Sequence, residues 1–249
     1  MLNKVKIVIL AAGQGTRMKS ELPKVLAPLL GKPMVKHLLE SVEKSGIDPK
    51  PIVVVGYQKE VVKDVLGNKY EYITQEEQLG TGHAIMATEK ELRNNADHIM
   101  VFYGDHPFLK PETIKNLLNK HLASEAILTM GIVKVPDFDD WRHFFYTDSR
   151  IIRNKNGEIV KDVQFRDTNE EERKVKETNP CYYCFKTDWL WKELKSLNTE
   201  NAEKQYYLPD LIKKAIDQGV KIELVNIDIR EALGADSKEE LAILERLVK

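Results

Sequence analysis

Apolar and polar positions in the first half of the chain alternate between two rhythms. Short apolar runs occur at Val5–Leu10, Ile52–Val55, Tyr70–Thr74, Ile99–Tyr103 and Ile127–Val133. Runs of this kind, apolar at consecutive rather than alternate positions, are expected of strands covered on both faces. Between them lie stretches with helical spacing. The first, Pro33–Ser45, has an apolar stripe of Leu38, Leu39 and Val42, with Gly46 placed to cap it. The others are Lys59–Leu66, stopped near Gly67, then Gly82–Leu92 and Pro111–Ala123. Proline opens two of the four, where its fixed φ suits a first helical turn and its missing N–H costs nothing. Strand and helix taking turns in this way predicts an α/β domain, a mostly parallel sheet with crossover helices.

From Asp137 the pattern changes. Aromatic residues crowd Trp141–Tyr146, and Asn154-Lys155-Asn156-Gly157 reads as a hairpin turn between Arg150–Arg153 and Glu158–Phe165. The segment Asp167–Lys176 is strongly charged and is expected to be exposed. The apolar stretch around Cys181–Phe185 reads as a strand. Helices near Trp189–Leu197 and Leu208–Gln218, a strand Lys221–Ile227 and a last helix Ser237–Leu247 follow. No linker rich in Gly, Pro or Ser, no low-complexity tract and no internal repeat interrupts the chain. The expectation is one domain over residues 1–249, with a front half to about residue 135 and an elaborated half from about 136.

Composition narrows the function classes. The 249 residues are 42% hydrophobic, an ordinary fraction for a full core, and the net charge of −1 makes no general case for binding nucleic acid or an acidic membrane. The chain opens Met1-Leu2-Asn3-Lys4 and runs straight into a strand, without the apolar stretch of a secretory signal. No apolar segment approaches the roughly 20 residues of a membrane span. These readings point to a soluble, cytoplasmic protein. The cysteines, Cys181 and Cys184, sit three apart on an expected strand, which turns them to opposite faces and argues for packed thiols rather than a disulfide or a zinc site.

Four clusters carry candidate chemistry, and each falls where a strand ends. The first is Leu10-Ala11-Ala12-Gly13-Gln14-Gly15-Thr16-Arg17-Met18, followed by Leu22-Pro23-Lys24-Val25-Leu26. Glycines let backbone N–H groups approach phosphate oxygens, and Arg17 and Lys24 supply the charge that a triphosphate needs. The spacing is neither the P-loop pattern nor the dinucleotide fingerprint, whose third glycine is missing. The second cluster, Gln75 to Ala84, passes through Gly80-Thr81-Gly82 into a helix. The Gln75 amide offers a donor and an acceptor to the edge of a pyrimidine, and Gly80 lets a base lie close to backbone. Thr81 reads equally as a helix cap, and His83 as packing at the helix start. The third is Tyr103-Gly104-Asp105-His106-Pro107, where a carboxylate at the end of a buried strand suits Mg²⁺, a hard ion held by one or two carboxylates with phosphates and water. His106 is given no metal role, since Mg²⁺ prefers oxygen ligands. In the fourth, Gly234-Ala235-Asp236-Ser237, Asp236 taken alone reads as a cap on the last helix.

Taken in order, Leu-Ala-Ala-Gly-x-Gly-Thr-Arg-Met, Leu-Pro-Lys-Val-Leu, Gln-Leu-Gly-Thr-Gly-His-Ala and Tyr-Gly-Asp-x-Pro resemble the sugar-1-phosphate nucleotidyltransferases. The likeness is greatest to the amino-terminal pyrophosphorylase domain of the bacterial N-acetylglucosamine-1-phosphate uridyltransferases. It continues through Arg150-Ile151-Ile152-Arg153, Asp167-Thr168 with Glu170-Glu171, Tyr206-Tyr207-Leu208 with Asp210, and the terminal helix, so it covers essentially the whole chain.

The resemblance implies a Rossmann-like nucleotidyltransferase fold with helices on both faces of a mixed, mostly parallel sheet and a β-rich sugar-binding insertion. It makes the front half nucleotide-binding and the rear half sugar-binding. It implies UTP or another NTP and a sugar 1-phosphate as partners, with Mg²⁺ as cofactor. Carried over by motif, Leu10, Ala11, Ala12, Gly13, Gly15, Thr16, Gln75, Gly80 and Thr81 would bind the nucleotide, with uracil held by the Ala12 and Gly13 backbone, Gln75 and Gly80. Arg17 and Lys24 would be catalytic, gripping the triphosphate. Tyr103, Gly104, Ser149, Gln164 and Asn179 would line the sugar site, and Asp105 and Asp236 would hold the metal.

The chain departs from the family at several points. Asp236 stands where this branch usually has Asn, and Asn179-Pro180-Cys181 stands where it has Asn-Thr-Gly. Val163-Gln164 replaces Val-Glu, and Asp148-Ser149-Arg150 replaces Tyr-Gly-Arg. These changes leave the acceptor open between N-acetylglucosamine 1-phosphate, glucose 1-phosphate and other sugar phosphates. The hexapeptide repeats of the family's acetyltransferase domain do not occur in these residues, so neither acetyl transfer nor trimerisation is carried over. A non-catalytic nucleotide-sugar sensor on the same fold would tolerate loss of Arg17, Lys24 or Asp105, and all three are present.

Overall fold

The computed structural model describes residues 4–201 and 203–248, so the opening Met1-Leu2-Asn3 lies outside the described residues. Strand β1 (Val5–Ala11) runs into the glycine loop and two short 3₁₀ turns, Thr16–Met18 and Lys24–Leu26. A small ladder of β2 (Pro28–Leu29) and β3 (Lys32–Pro33) leads to α1 (Met34–Ser45). Strand and helix then take turns through β4 (Ile52–Val55), α2 (Lys59–Leu66), β5 (Glu71–Thr74), α3 (Thr81–Met86), α4 (Glu89–Leu92), β6 (His98–Tyr103), α5 (Pro111–Ser124) and β7 (Leu128–Lys134). The rear half holds a 3₁₀ stretch (Asp140–Thr147), the hairpin β8 (Arg150–Arg153) and β9 (Ile159–Val163), a 3₁₀ turn (Phe165–Asp167) and α6 (Glu170–Arg173). It closes with β10 (Glu177–Thr178), β11 (Tyr183–Lys186), α7 (Thr187–Leu194), α8 (Asp210–Asp217), β12 (Ile222–Asn226) and α9 (Lys238–Val248).

Ten strands form one sheet in the order β5-β4-β1-β6-β11-β7-β10-β8-β9, with β12 on the other edge of β7. The strands β5, β4, β1 and β6 are parallel, which places the loops after β1, β5 and β6 at one end of the sheet. Strand β11 runs antiparallel between β6 and β7. The edge of β7 that β11 leaves at Met130 is taken up by β10 at Val133, so residues 179–182 bulge out of the ladder between them. Alternate side chains of β1 feed two cores. Ile7, Ile9 and Ala11 pack with α1, α2, α5 and Leu244 of α9, while Val8, Leu10 and Ala12 pack with α3, α7 and α8. The sheet is thus mixed, mostly parallel in its front half, and covered by helices on both faces, as expected.

Several elements differ from the sequence reading. The helix expected over Gly82–Leu92 divides after Met86, where the Thr88 hydroxyl donates to the Ile85 carbonyl at 2.8 Å and competes with the helical ladder. Pro33 ends β3 with ψ 137° instead of lying inside α1, and Gly46 caps that helix at φ 68°. The charged segment after Asp167 contains α6, closed by a capping box in which Asn169 and Glu172 bond each other's backbone N–H at 2.9 Å. Cys184 is buried in one core and Cys181 packs toward the other, and both are free thiols. Among the described residues, no helix is long and apolar enough to cross a membrane.

A buried chain of polar groups joins α5 to the sheet. His121 Nδ1 lies 2.9 Å from the Thr129 hydroxyl and its Nε2 3.0 Å from His98 Nδ1. Burial, with His98 adding to it, pushes His121 down to about 4. The folded state therefore holds this ring neutral, whereas an unfolded histidine protonates near pH 6.5. Its contribution is intact above about pH 6.5 and is lost as pH falls toward 4. We expect His121→Gln to remove this dependence. In urea unfolding, the stability gap between wild type and variant should narrow from pH 7 to pH 4.5, and a constant gap would refute the assignment.

Candidate active site

The glycine loop after β1, the Gln75–Thr81 loop after β5 and the Gly104-Asp105 turn after β6 converge on a cleft of about 980 Å³, room for a nucleotide with a second substrate. Backbone conformation explains the first loop. Gly15 has φ +69°, and a Cβ on it would meet the Lys24 side chain at 2.3 Å, so the loop wraps the stem of that lysine. Gly13 has no atom near its would-be Cβ, which leaves its backbone open to a ligand. Pro23 fixes the turn that presents Lys24, while Met18, Val25 and Leu26 anchor both 3₁₀ turns in the core.

Lys24 Nζ lies between two carboxylates. It donates to Asp105 Oδ2 and, at 2.5 Å, to Asp236 Oδ1, and Arg17 Nη2 donates to Asp236 Oδ2 at 2.6 Å. Asp105 and Lys24 are each 17% exposed and Arg17 is 71% exposed, so the inner pair is fixed while the outer cation faces solvent. Burial works against both inner charges. The ammonium of Lys24 and then His106 outweigh it at Asp105 and bring that carboxyl down to about 2. Asp105 and Asp236 likewise hold Lys24 above the usual lysine range. Asp236 does not cap α9: Ser237 Oγ accepts from the Glu240 N–H at 3.2 Å, which leaves the Asp236 side chain for the site. His106 is engaged elsewhere, with Nδ1 2.9 Å from the Tyr182 hydroxyl, which donates to the Glu231 carbonyl.

On the opposite side, Gln75 is 3% exposed, and its Nε2 lies 3.0 Å from the Gly80 carbonyl and 3.2 Å from His83 Nδ1. With the amide NH₂ engaged there, the side-chain carbonyl is the group left for a ligand. Gly80, at φ +105°, packs against the Tyr206 carbonyl and the Gln205 side chain, which a Cβ would meet at 2.6 and 2.9 Å. The Thr81 hydroxyl accepts from the Leu208 N–H at 3.0 Å instead of capping α3.

The structure brings together on this cleft Leu10, Ala11, Ala12, Gly13, Gly15, Thr16, Gln75, Gly80 and Thr81, with Arg17, Lys24, Asp105 and Asp236. On the acceptor side it divides the expected set. Tyr103 and Gln164 line the cleft. Ser149 and Asn179 do not: they are 5% and 4% exposed and stand behind the wall. Asn179 is occupied internally, donating to Asp162 at 2.7 Å and to the Tyr183 hydroxyl at 2.8 Å and accepting from the Cys181 N–H at 2.8 Å. Gly104 also lies behind, where a Cβ would meet the Leu10 carbonyl at 3.0 Å.

The wall positions belong to close neighbours, Asp148 and Cys181. Cys181 sits at φ +61° in the bulge after β10, a conformation that glycine adopts without strain. Burial pushes its thiol up to about 12 and the Asp148 carboxyl up to about 7. Sequence reasoning assigned no role to either, nor to Gln78, Phe165, Gln205 or Tyr207, which also line the cleft. The sign available in the sequence was the two short departures around Ser149 and Asn179.

Arg150 holds this wall in place. It is fully buried, and its guanidinium donates to the carbonyls of Phe145, Tyr146 and Asp148 at 3.2, 2.7 and 2.6 Å. Phe138 stacks 4.8 Å beneath it. Lysine cannot reproduce a planar fork that serves several carbonyls at once.

Loops after parallel strands that bring Arg17, Lys24 and Asp105 to one cleft, joined there by Asp236 from the segment before α9, are the arrangement of a nucleotidyltransferase. A family model described as a MobA-like NTP transferase domain matches residues 7–206, and the chain belongs to that family. It is 41% identical over 244 residues to the bifunctional protein GlmU of Streptococcus agalactiae, covering 97% of this chain and 51% of that one. It is 38% identical over 253 residues to the GlmU of Caldicellulosiruptor saccharolyticus, covering 100% and 53%. The chain thus spans about half the length of these curated relatives. Among solved structures, a UDP-glucose pyrophosphorylase complexed with UDP-glucose superposes with a TM-score of 0.77 at 18% identity, covering 99% of this chain and 98% of that one. A CMP:2-keto-3-deoxy-manno-octonic acid synthetase complexed with CTP superposes with a TM-score of 0.68 at 17% identity, covering 98% of each. At these identities the superpositions speak for the fold, and the family resemblance read from the motifs is borne out.

Arg150→Lys should lower stability by about 2 kcal/mol, since it leaves buried carbonyls without donors. It should also raise the KM for the second substrate more than that for the nucleotide. Equal KM values with wild-type stability would show that Arg150 does not support the wall.

Proposed function

We propose that this protein transfers a uridylyl group from UTP to a sugar 1-phosphate, with N-acetylglucosamine 1-phosphate as acceptor and Mg²⁺ as metal, releasing pyrophosphate. The observation that carries this reading is the meeting of Lys24 and Arg17 with Asp105 and Asp236 beside the glycine loop. A triphosphate needs cations and backbone N–H groups at its phosphates, and both are offered here. The choice of UTP draws support from the carbonyl of Gln75, which would accept from the N3–H of uracil. The choice of acceptor draws support from the family motifs and from similarity to the GlmU proteins.

The donor set suits Mg²⁺. Two carboxylates aim oxygens at a single point, now marked by Lys24 Nζ, and hard oxygen ligands are what this ion prefers. No group of three or more His, Cys, Asp or Glu fit to hold a metal occurs among the described residues, so phosphates and water would complete the shell. Asp105 and Asp236 would hold the ion, which when bound neutralises charge on the α-phosphate and orients it.

The remaining work falls to the chain's own residues. The acceptor phosphate oxygen is already anionic near neutral pH and attacks the α-phosphorus directly, so no general base is required. A phosphorus–oxygen bond to the acceptor forms as the bond to the β-phosphate oxygen breaks, and pyrophosphate leaves with that electron pair. Lys24 and Arg17 stabilise the charge that spreads over the phosphate oxygens, and the loop backbone holds the triphosphate in line. Gln164 and Asp148 in the acceptor wall would take hydrogen bonds from sugar hydroxyls.

A pyrophosphate-release assay over a matrix of NTPs and sugar 1-phosphates with Mg²⁺ tests the reading. We expect release with UTP and N-acetylglucosamine 1-phosphate. Higher turnover with glucose 1-phosphate would reassign the acceptor, and no release with any pair despite nucleotide-sugar binding would replace the enzyme by a sensor. Lys24→Ala should lower turnover about 100-fold or more, in line with losing one donor to a developing oxyanion. Near-normal turnover of the folded variant would sink its catalytic role.

A further inference from the structure

Taken with the metal site proposed above, on which this inference rests, the ion cluster has a feature that the family motif does not require. The carboxylate oxygens that would hold the metal are both engaged by Lys24 Nζ, and Asp236 is engaged again by Arg17. Because residue 236 is Asp, the second contact is to a second charge, where an Asn amide would offer Lys24 only a neutral oxygen. Among the four side chains in direct contact, two cations balance two carboxylates. Other titratable groups face it. His106 lies 3.9 Å from Asp105, and burial keeps that ring from charging readily. Glu240 accepts from the Asp236 N–H at 2.6 Å, and the nearby Asp148 carboxyl, pushed up by burial, is influenced by Asp236.

We infer that Lys24 is an internal counter-cation that keeps a free divalent ion out of the site, so that metal enters only together with the triphosphate. A lone divalent ion would have to displace the ammonium from both carboxylates. Lys24, only 17% exposed and buried beside the Gly15 loop, would then be left without an anion. A metal-bound triphosphate removes the conflict, because its phosphate oxygens give Lys24 and Arg17 new partners as the carboxylates turn to the metal. Lys24 thus has two states, bonded to Asp105 and Asp236 without nucleotide and bonded to phosphate with it.

Binding of Mn²⁺, read by electron paramagnetic resonance and by its effect on Tm in the absence of nucleotide, tests this. For wild type we expect no saturable Mn²⁺ binding up to millimolar concentration and no shift in Tm. Lys24→Met leaves two close carboxylates with only Arg17, on Asp236, to balance them, so it should melt lower, bind Mn²⁺ at least tenfold more tightly than wild type and regain Tm as Mn²⁺ is added. Lys24→Met with Asp236→Asn should lose that gain. Wild type binding Mn²⁺ alone as tightly as Lys24→Met overturns the inference, as does a folded Lys24→Met that gains no affinity. If that variant fails to fold, the wild-type titration still decides, because saturable binding by wild type is sufficient to refute it. Pyrophosphate release by the same wild-type preparation separates this failure from failure of the transfer reaction.

Discussion

An ammonium held between two carboxylates ties together three parts of this chain that are far apart in sequence. Lys24 reaches 81 positions along to Asp105 and 212 positions along to Asp236. Each partner sits where a regular element stops: Lys24 in a turn that follows β1, Asp105 just past β6, and Asp236 just before α9. The contact is possible because β1 and β6 are adjacent and parallel, so their carboxyl ends lie side by side. Burying these charges costs free energy that mutual attraction offsets only while all of them are present. The cluster is therefore a poor choice for stability alone and a good one for a site that exchanges one set of charges for another.

Around this cluster the fold separates two tasks. The parallel strands and their loops supply one side of the cleft, with Gly15 wrapped on Lys24 and Gly80 pressed on Tyr206. The second side is built from the antiparallel rear half, where β10 and β11 share one edge of β7 and the residues between them bulge into the cleft. That bulge and the loop held by Arg150 carry Cys181 and Asp148 to the wall. Neither loop belongs to the β-α alternation, so this wall can change while the glycine-loop side keeps its geometry.

Much of the architecture was legible because it follows from local rules. Consecutive apolar residues at Val5–Leu10 and Ile52–Val55 could only be strands covered on both faces, and the stripe Leu38, Leu39, Val42 could only be one face of a helix. The glycine loops were legible for a related reason: backbone at φ +69° or +105° favours glycine, so Gly15 and Gly80 mark their turns in the sequence. The division of Gly82–Leu92 was not legible, since it depends on a single Thr88 hydroxyl turning back on the helix. On the wall opposite the glycine loop, the expected Tyr103 and Gln164 line the cleft, whereas Asp148 and Cys181 line it in place of the expected Ser149 and Asn179. Ser149 and Asn179 point inward to the core, because a displacement of one or two positions in an irregular loop changes which side chain faces out.

What the sequence by itself determined is the main alternation of strands and helices, the positions of the glycine turns, and the presence of two cations and two carboxylates in the connecting segments. These follow from hydrophobic period and backbone sterics, which act over a few residues. Only the tertiary structure decided that Asp236 serves the cluster while Ser237 takes the cap, that Lys24 lies between both carboxylates, and that Asp148 and Cys181 line the wall opposite the glycine loop. Those outcomes depend on which strand ends become neighbours and on how much water is excluded between them. Charge and burial act through space, so residues more than 200 positions apart set each other's roles.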